Sequence, residues 1–373
     1  MSQQIPFCDL RSAHEECRPE FEQRLAEMFA RSQWILGPEV AAFEREFAAF
    51  CGAPYCVGVA NGTDAITLAL RLRGIETPDQ EVLTTPLTAP FTGIAILAAG
   101  AKPVFADVEE DTLLLDPQDA AARITPRTAA LLPVHLYGQT CDLATWRDLA
   151  KRAGAVLIQD ACQAHGALHG GRPLVAFSGL AAYSFYPTKN LGALGDGGAL
   201  VLSSEADAAL ARKLRDGGRV VGHVSELPGR NSRLDEIQAA FLRIALSRLP
   251  AWNEARRRLA AIYDEELAAI PAELLRPVAH RAGRDHARHL YVVRAQERDR
   301  LREHLAANGV GCGIHYPVPL HVQPAFAACG FGPGDLPVAE RAARDILSLP
   351  MGPHLAGEQA RRVAALIRGF YLG

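Results

Sequence analysis

Three short segments carry residues whose types could do chemistry together. Lys189 stands in the run Ser184-Phe185-Tyr186-Pro187-Thr188-Lys189-Asn190, just beyond a stretch that reads as a strand. A lysine among apolar neighbours gives up its proton more readily than a solvated one and can serve as a nucleophile. The competing reading is a surface lysine on a turn. Lysine is scarce here: Lys102, Lys151, Lys189 and Lys213 are the only four among 39 basic residues, so an amine nucleophile has few candidates. Asp160 directly follows the apolar run AVLIQ. In open α/β sheets ligands sit beyond the carboxyl ends of strands, which is where such a carboxylate points. A helix cap is the equal alternative. Asn61-Gly62-Thr63 lies at a strand-to-helix turn, where free N–H groups and a hydroxyl suit a phosphate. Taken alone, that triplet reads more simply as an N-cap.

These residues need elements to hold them. Cys56–Ala60 reads as a strand, and Asn61 to Asp64 opens a helix with Ile66 and Leu70 on one face. Strands are also expected at Glu81–Thr84, Lys102–Ala106, Ala129–His135, Ala155–Gln159, Ala181–Phe185 and Gly198–Leu202. Helical patterns fall between them, at Phe91–Ala99 and at Asp142–Ala153 with Trp146, Leu149 and Ala150 at i, i+3, i+4. Strands alternating with helices predict a mostly parallel sheet covered on both faces. Upstream, Gly37-Pro38 precedes a helix carrying Phe43, Phe47 and Phe50 on one face, with proline in its first turn. From Asp235 to Leu267 the pattern is a long helix, expected to break near Pro250, with Arg256, Arg257 and Arg258 on a solvated face. Mixed strands and helices follow from Leu290. The boundary between a large unit, 1–245, and a smaller α+β unit, 246–373, is expected near residue 245.

Composition removes other classes. A chain of 373 residues suits two domains. A net charge of −3 argues against nucleic acid as a partner. The apolar stretch Pro90–Ala101 is short of the roughly 20 residues a spanning helix needs. The N-terminus lacks the order of a secretory signal, so a cytoplasmic protein with no membrane partner is expected. The eight cysteines form no CxxC, which suggests neither a metal site nor a disulfide framework. There is no GxGxxG, no GxxxxGK[ST] and no GxSxG, which weakens dehydrogenase, P-loop and α/β-hydrolase readings together.

Together, a phosphate cradle, a strand-end aspartate and a downstream lysine are the parts that a pyridoxal 5′-phosphate (PLP) site requires. The segments WILGPEVAAFEREFAAFCG, VANGTDAITLAL, TTPLT with AGAKPVFADVEEDT, PVHLYGQ, IQDACQAHGA, SFYPTKNLGALGDGGAL, GRNSRLDEIQAAFL and IHYPVPLHVQPAF occur in order. In these the chain resembles the DegT/StrS-type sugar aminotransferases, fold-type I PLP enzymes of the aspartate aminotransferase superfamily.

The resemblance implies an α/β large domain with a mostly parallel seven-stranded sheet. It makes Lys189 the Schiff-base lysine and proton shuttle, with Asp160 on the pyridine nitrogen. Gln163 would reach the ring 3-oxygen, and Gly62, Thr63 and Ser184 would hold the phosphate. Asn231 would reach the neighbouring subunit's cofactor, so a homodimer with shared sites is implied. His315, Tyr316 and His321 would face substrate. One departure is that Ala89 stands where an aromatic residue often stacks on the ring, with Phe91 two residues on. The implied reaction is a ping-pong transfer from L-glutamate, through pyridoxamine phosphate, to a nucleotide-linked keto-hexose at its 3- or 4-keto position. The alternatives are a cyclitol aminotransferase, a sugar dehydratase, or a PLP-binding regulator without catalysis. A dehydratase branch carries histidine in place of the lysine, and this chain keeps Lys189.

Overall fold

The computed structural model describes residues 4–281 and 284–373. Its centre is a sheet of seven strands: β1 (Tyr55–Val59), β2 (Glu81–Thr84), β3 (Lys102–Phe105), β4 (Thr128–Leu132), β5 (Val156–Leu157 and Gln159–Asp160), β6 (Leu180–Ser184) and β7 (Gly198–Leu202). The two pieces of β5 form one path. Ile158 between them donates its N–H to the Leu131 carbonyl, and a parallel bridge joins Val134 to Asp160. The spatial order is therefore β3-β2-β4-β5-β6-β7-β1. All neighbours are parallel except β7, which runs antiparallel to both β6 and β1. The expected mostly parallel, seven-stranded sheet is what the chain forms.

Both faces of the sheet are covered, which is why its strands are continuously apolar rather than alternating. All five residues of β7 and all four of β2 are buried. On one face lie α3 (Gly62–Arg71), α4 (Pro90–Ala99) and α6 (Glu205–Arg215); Ile66, Leu68 and Leu70 pack there with Val57, Val82 and Ile96. On the other lies α2 (Pro38–Phe50), whose Phe43 and Phe47 meet Phe185 edge-on. A fifth covering helix, α5 (Leu143–Ala153), buries Trp146 and Leu149.

The buried carboxylate of Glu236 fixes the entry to α2. It accepts the N–H groups of Gly37, Glu39 and Val40 at 2.8–3.0 Å. These are first-turn donors with no acceptor inside the helix, and a negative charge is favoured there.

Glu236 also opens α7 (Glu236–Leu267), which runs on unbroken through Pro250. The expected interruption does not occur: packing on both sides of the proline outweighs the single hydrogen bond it removes. Before it, Phe241, Leu242 and Ala245 pack against the α2 side of the large sheet. After it, Leu259, Tyr263 and Leu267 join a second core with Leu301, Leu305, Val363 and Ile367. That second core is built on a three-stranded antiparallel sheet, Leu275–Pro277, Tyr291–Ala295 and Ile346–Leu349, with α8 (Arg298–Ala307) and α9 (Gly357–Leu372). Among the described residues no helix is long and apolar enough to cross a membrane.

Candidate active site

The carboxyl ends of β5 and β6, the start of α3 and the loop after β6 converge on one cavity of about 660 Å³. Asp160, Gln163, Gly62, Thr63, Ser184, Lys189, Ala89, Phe91, His315 and Tyr316 all line it. Two sequence candidates do not. Asn231 is exposed and bridges Asp216, away from this cavity. His321 is 1% exposed, and its ring nitrogen Nε2 bonds Glu340 at 3.0 Å.

At one end, the two readings of Asn61-Gly62-Thr63 fall on different residues. The Asn61 side chain caps α3 by accepting the Asp64 N–H at 2.8 Å. The first-turn N–H groups of Gly62 and Thr63 have no acceptor inside the helix, and both residues line the cavity. Gly62 is required by close approach: a Cβ there would stand 2.7 Å from Ser184 Cβ and 3.2 Å from Ser184 Oγ. The missing side chain lets the start of α3 and Ser184 approach each other at the cavity wall.

Asp160 ends β5 and is 3% exposed. Thr92 Oγ1 donates to Oδ2 at 2.8 Å, and the Cys162 N–H donates to Oδ1 at 3.1 Å. Thr92 in turn meets the Thr88 hydroxyl at 3.2 Å. Gln163 is oriented by the Tyr137 N–H, which can only donate and so takes Oε1, at 2.7 Å. The amide nitrogen Nε2 therefore faces the other way, donating to Tyr316 Oη at 3.2 Å with one hydrogen to spare. Tyr137 holds this position with a positive φ of 60°. Its hydroxyl donates to the His315 carbonyl and so ties the two sides of the cavity together.

Lys189 follows a turn in which its own N–H donates to the Tyr186 carbonyl at 2.8 Å. Lys189 lines the cavity and is half-buried. Burial lowers its pKa below that of a free lysine, while the Cys162 thiol and the Asp160 carboxylate pull the other way. His315 stacks on Phe7 at 5.4 Å and is pushed down to about 4, by burial first and then by Lys189.

Some cavity residues escaped the reading of the sequence. Thr92 and Cys162 needed only their neighbourhood to Asp160 to be recognised, and that neighbourhood spans 68 residues of sequence in the case of Thr92. His289 comes from just ahead of the Tyr291–Ala295 strand. Asn190 spends both amide hydrogens on Asn253 Oδ1 and the Ala287 carbonyl, so its Oδ1 must accept from His289 Nδ1, at 3.1 Å. This fixes the tautomer, and burial holds the ring well below the usual histidine pKa.

Arg256 corrects an expectation. Arg257 and Arg258 are exposed as expected, but Arg256 is 4% exposed and lines the cavity. It falls on the buried stripe of α7 with Trp252, Leu259, Ala260 and Tyr263, spaced +4, +7, +8 and +11 from Trp252. The 3.6-residue period of that stripe was the available signal.

A family model for the DegT/DnrJ/EryC1/StrS aminotransferase family matches residues 15–368. The chain belongs to this family. It is a transaminase with the fold-type I architecture, and the aminotransferases of this family depend on PLP. Among its DegT/DnrJ/EryC1/StrS relatives is the dTDP-3-amino-3,4,6-trideoxy-alpha-D-glucose transaminase of Streptomyces venezuelae, 47% identical over 98% of this chain and 95% of the relative. The structure of S. venezuelae DesV in complex with a ketimine intermediate superposes with a TM-score of 0.96, at 45% identity and over 99% of both chains. NtdA from Bacillus subtilis, solved with bound cofactor PMP, gives a TM-score of 0.91 at 27% identity, over 99% of this chain and 85% of that one.

Proposed function

We propose that the protein moves an amino group from L-glutamate to a nucleotide-linked keto-hexose, at its 3- or 4-keto position, leaving a nucleotide amino sugar. The observation that carries this reading is the single cavity in which Lys189, Asp160, Gln163, Ser184 and the start of α3 meet. The family and the nucleotide-sugar relative point the same way.

The donor set suits PLP group by group. The N–H groups of Gly62 and Thr63, with the Ser184 hydroxyl, would hold the phosphate. Asp160, kept in place by Thr92 and the Cys162 N–H, would keep the pyridine nitrogen protonated. Gln163 Nε2, with a hydrogen to spare, would donate to the ring oxygen. Ala89 and Phe91 would supply apolar contact to the ring. When bound, PLP supplies an aldehyde that takes up the amino group and a ring that withdraws electrons.

Lys189 Nζ does the proton work. Its lowered pKa raises the share of free amine at neutral pH, so it takes the proton from the α-carbon of the amino acid. It later moves a proton to the sugar carbon that receives nitrogen. Apolar Phe91, Ile94 and Leu290 limit water around these steps.

We further infer a homodimer with shared sites. Phe91, Ile94 and Leu97 of α4, with Tyr186, leave an exposed apolar rim at and beside the cavity mouth. A second copy would cover it and bring its Asn231 to the cofactor, with His321 supporting the substrate side from behind. We also divide the chain near residue 245, within α7, the helix whose N-terminal part packs in the large core and whose C-terminal part, from Leu259, packs in the small one.

The test is spectroscopic. Protein incubated with PLP should turn yellow. L-glutamate should bleach it and release an equivalent of 2-oxoglutarate, and a keto-sugar nucleotide should restore the colour. A colourless protein would overturn the cofactor. Colour without 2-oxoglutarate release would favour a dehydratase or a regulator.

A further inference from the structure

We propose that Arg256 anchors a carboxylate of the amino-acid donor. The proposal rests on the transaminase reading above and assigns a binding residue to its first half.

Among the described residues, Arg256 is a buried cation without an anion. Its Nη1 donates to the main-chain carbonyls of His289 at 3.2 Å and Arg288 at 3.5 Å, and its Nε meets no acceptor among them. Two carbonyls fix the plane of the guanidinium, but they do not neutralise it. Among the described residues none of the three cavity carboxylates, Asp64, Asp160 and Asp196, is paired with Arg256. Asp64 faces Arg230 at 3.4 Å, and Asp160 is held by Thr92 and Cys162. The Cys8 thiol lies close enough to act on the Arg256 charge, but burial pushes that thiol up, so it supplies no counter-ion near neutrality. His289 and His315, on the same side, are held neutral by burial. A guanidinium that is desolvated, oriented and unpaired is poised for an anion that comes and goes.

The chemistry selects which anion. The phosphate corner lies at the start of α3, with Ser184. Arg256 instead bonds the His289 carbonyl and lies near Cys8, and the lining also draws Leu290 and Met351 from the smaller unit. A guanidinium presents parallel N–H donors whose spacing matches the two oxygens of a carboxylate. An amino acid carries a carboxylate one bond from its reacting carbon, and a keto-hexose carries none there. Arg256 therefore serves the donor half of the cycle and is spare in the acceptor half.

The variants are Arg256→Lys, which keeps the charge but loses the fork, and Arg256→Met, which keeps much of the bulk. The unreactive probe is glutarate, titrated calorimetrically into the protein as purified. Both variants should bind glutarate about 10- to 100-fold more weakly, the loss expected when a bidentate charged contact is removed. KM for L-glutamate should rise by a similar factor in the first half-reaction, with a much smaller change in the half-reaction of the amino sugar. Unchanged glutarate affinity, or an equal loss in both halves, would overturn the proposal; the latter would make Arg256 a prop for the 288–289 backbone. If neither variant folds, wild-type crystals soaked in glutarate decide. A carboxylate on the Arg256 guanidinium supports the assignment, and glutarate seated elsewhere refutes it. A wild type that binds glutarate through Arg256 but shows no glutamate half-reaction would sink the transaminase reading and leave the carboxylate site standing.

Discussion

The two walls of the cavity are built on different physical terms. The strand-end wall, with Gly62, Thr63, Asp160 and Ser184, is positioned by backbone: two strand termini and one helix start hold every polar atom. The facing wall, with Arg256, His289, His315 and Tyr316, is made of side chains reaching in from separate segments. On the first wall Asp160 has a donor on each oxygen. On the second, Arg256 Nε meets no acceptor among the described residues. A carboxylate already held on both oxygens suits a resident group that stays bound. A buried guanidinium with a donor unmet among the described residues suits a ligand that exchanges at every turnover.

That contrast can be broken, most sharply at Lys189. Lys189→Ala should lower turnover by about 10⁴-fold or more and remove the yellow absorbance; a variant that stayed yellow and active would leave the strand-end wall without its chemistry. Asp160→Asn should retain the fold and lose about 10²- to 10³-fold in kcat, because a neutral amide cannot keep the ring nitrogen protonated. Thr92→Val withdraws one donor from the Asp160 carboxylate and should reduce kcat about 10-fold, with the melting temperature as a control for folding. An unaffected rate would mean that the Cys162 N–H suffices.

A different readout, stability, probes the neutral histidines. Burial pushes His135 down to about 4, His165 to about 3 and His315 to about 4. Each native ring refuses a proton that the unfolded chain accepts below about pH 6.5. Stability should therefore be full above that pH and fall as pH drops toward 4, by up to about 1.4 kcal/mol per pH unit for each ring. Urea midpoints at pH 7, 6 and 5 measure this, and a flat profile would show that the rings are charged in the folded protein.

Legibility in the sequence followed the same division. Lys189, Asp160 and Gly62 could be found because each sits a fixed step beyond an apolar run, and the end of a parallel strand is a place as well as a pattern. The strands themselves were readable because burial on both faces leaves no polar alternation to confuse them. Pro250 was misread because a local rule about proline was applied where packing on both sides of α7 decides. Arg256 was misread for a related reason. In the triplet Arg256-Arg257-Arg258 the residue types are identical, and only helical phase separates the buried one from the two exposed ones. Thr92 and His289 left no local trace, since their meaning lies in contacts with Asp160 and Asn190.

The sequence by itself determined the sheet, the order of the strand-end features and the family, because these depend on short-range periodicity and on motifs held in order along the chain. Only the tertiary structure decided which arginine is buried, which face of Gln163 looks into the cavity and which nitrogen of His289 carries the proton. Those choices are made by burial and by hydrogen-bond partners drawn from distant segments. A residue's charge and donor direction are properties of its surroundings, and its surroundings do not exist until the chain has folded.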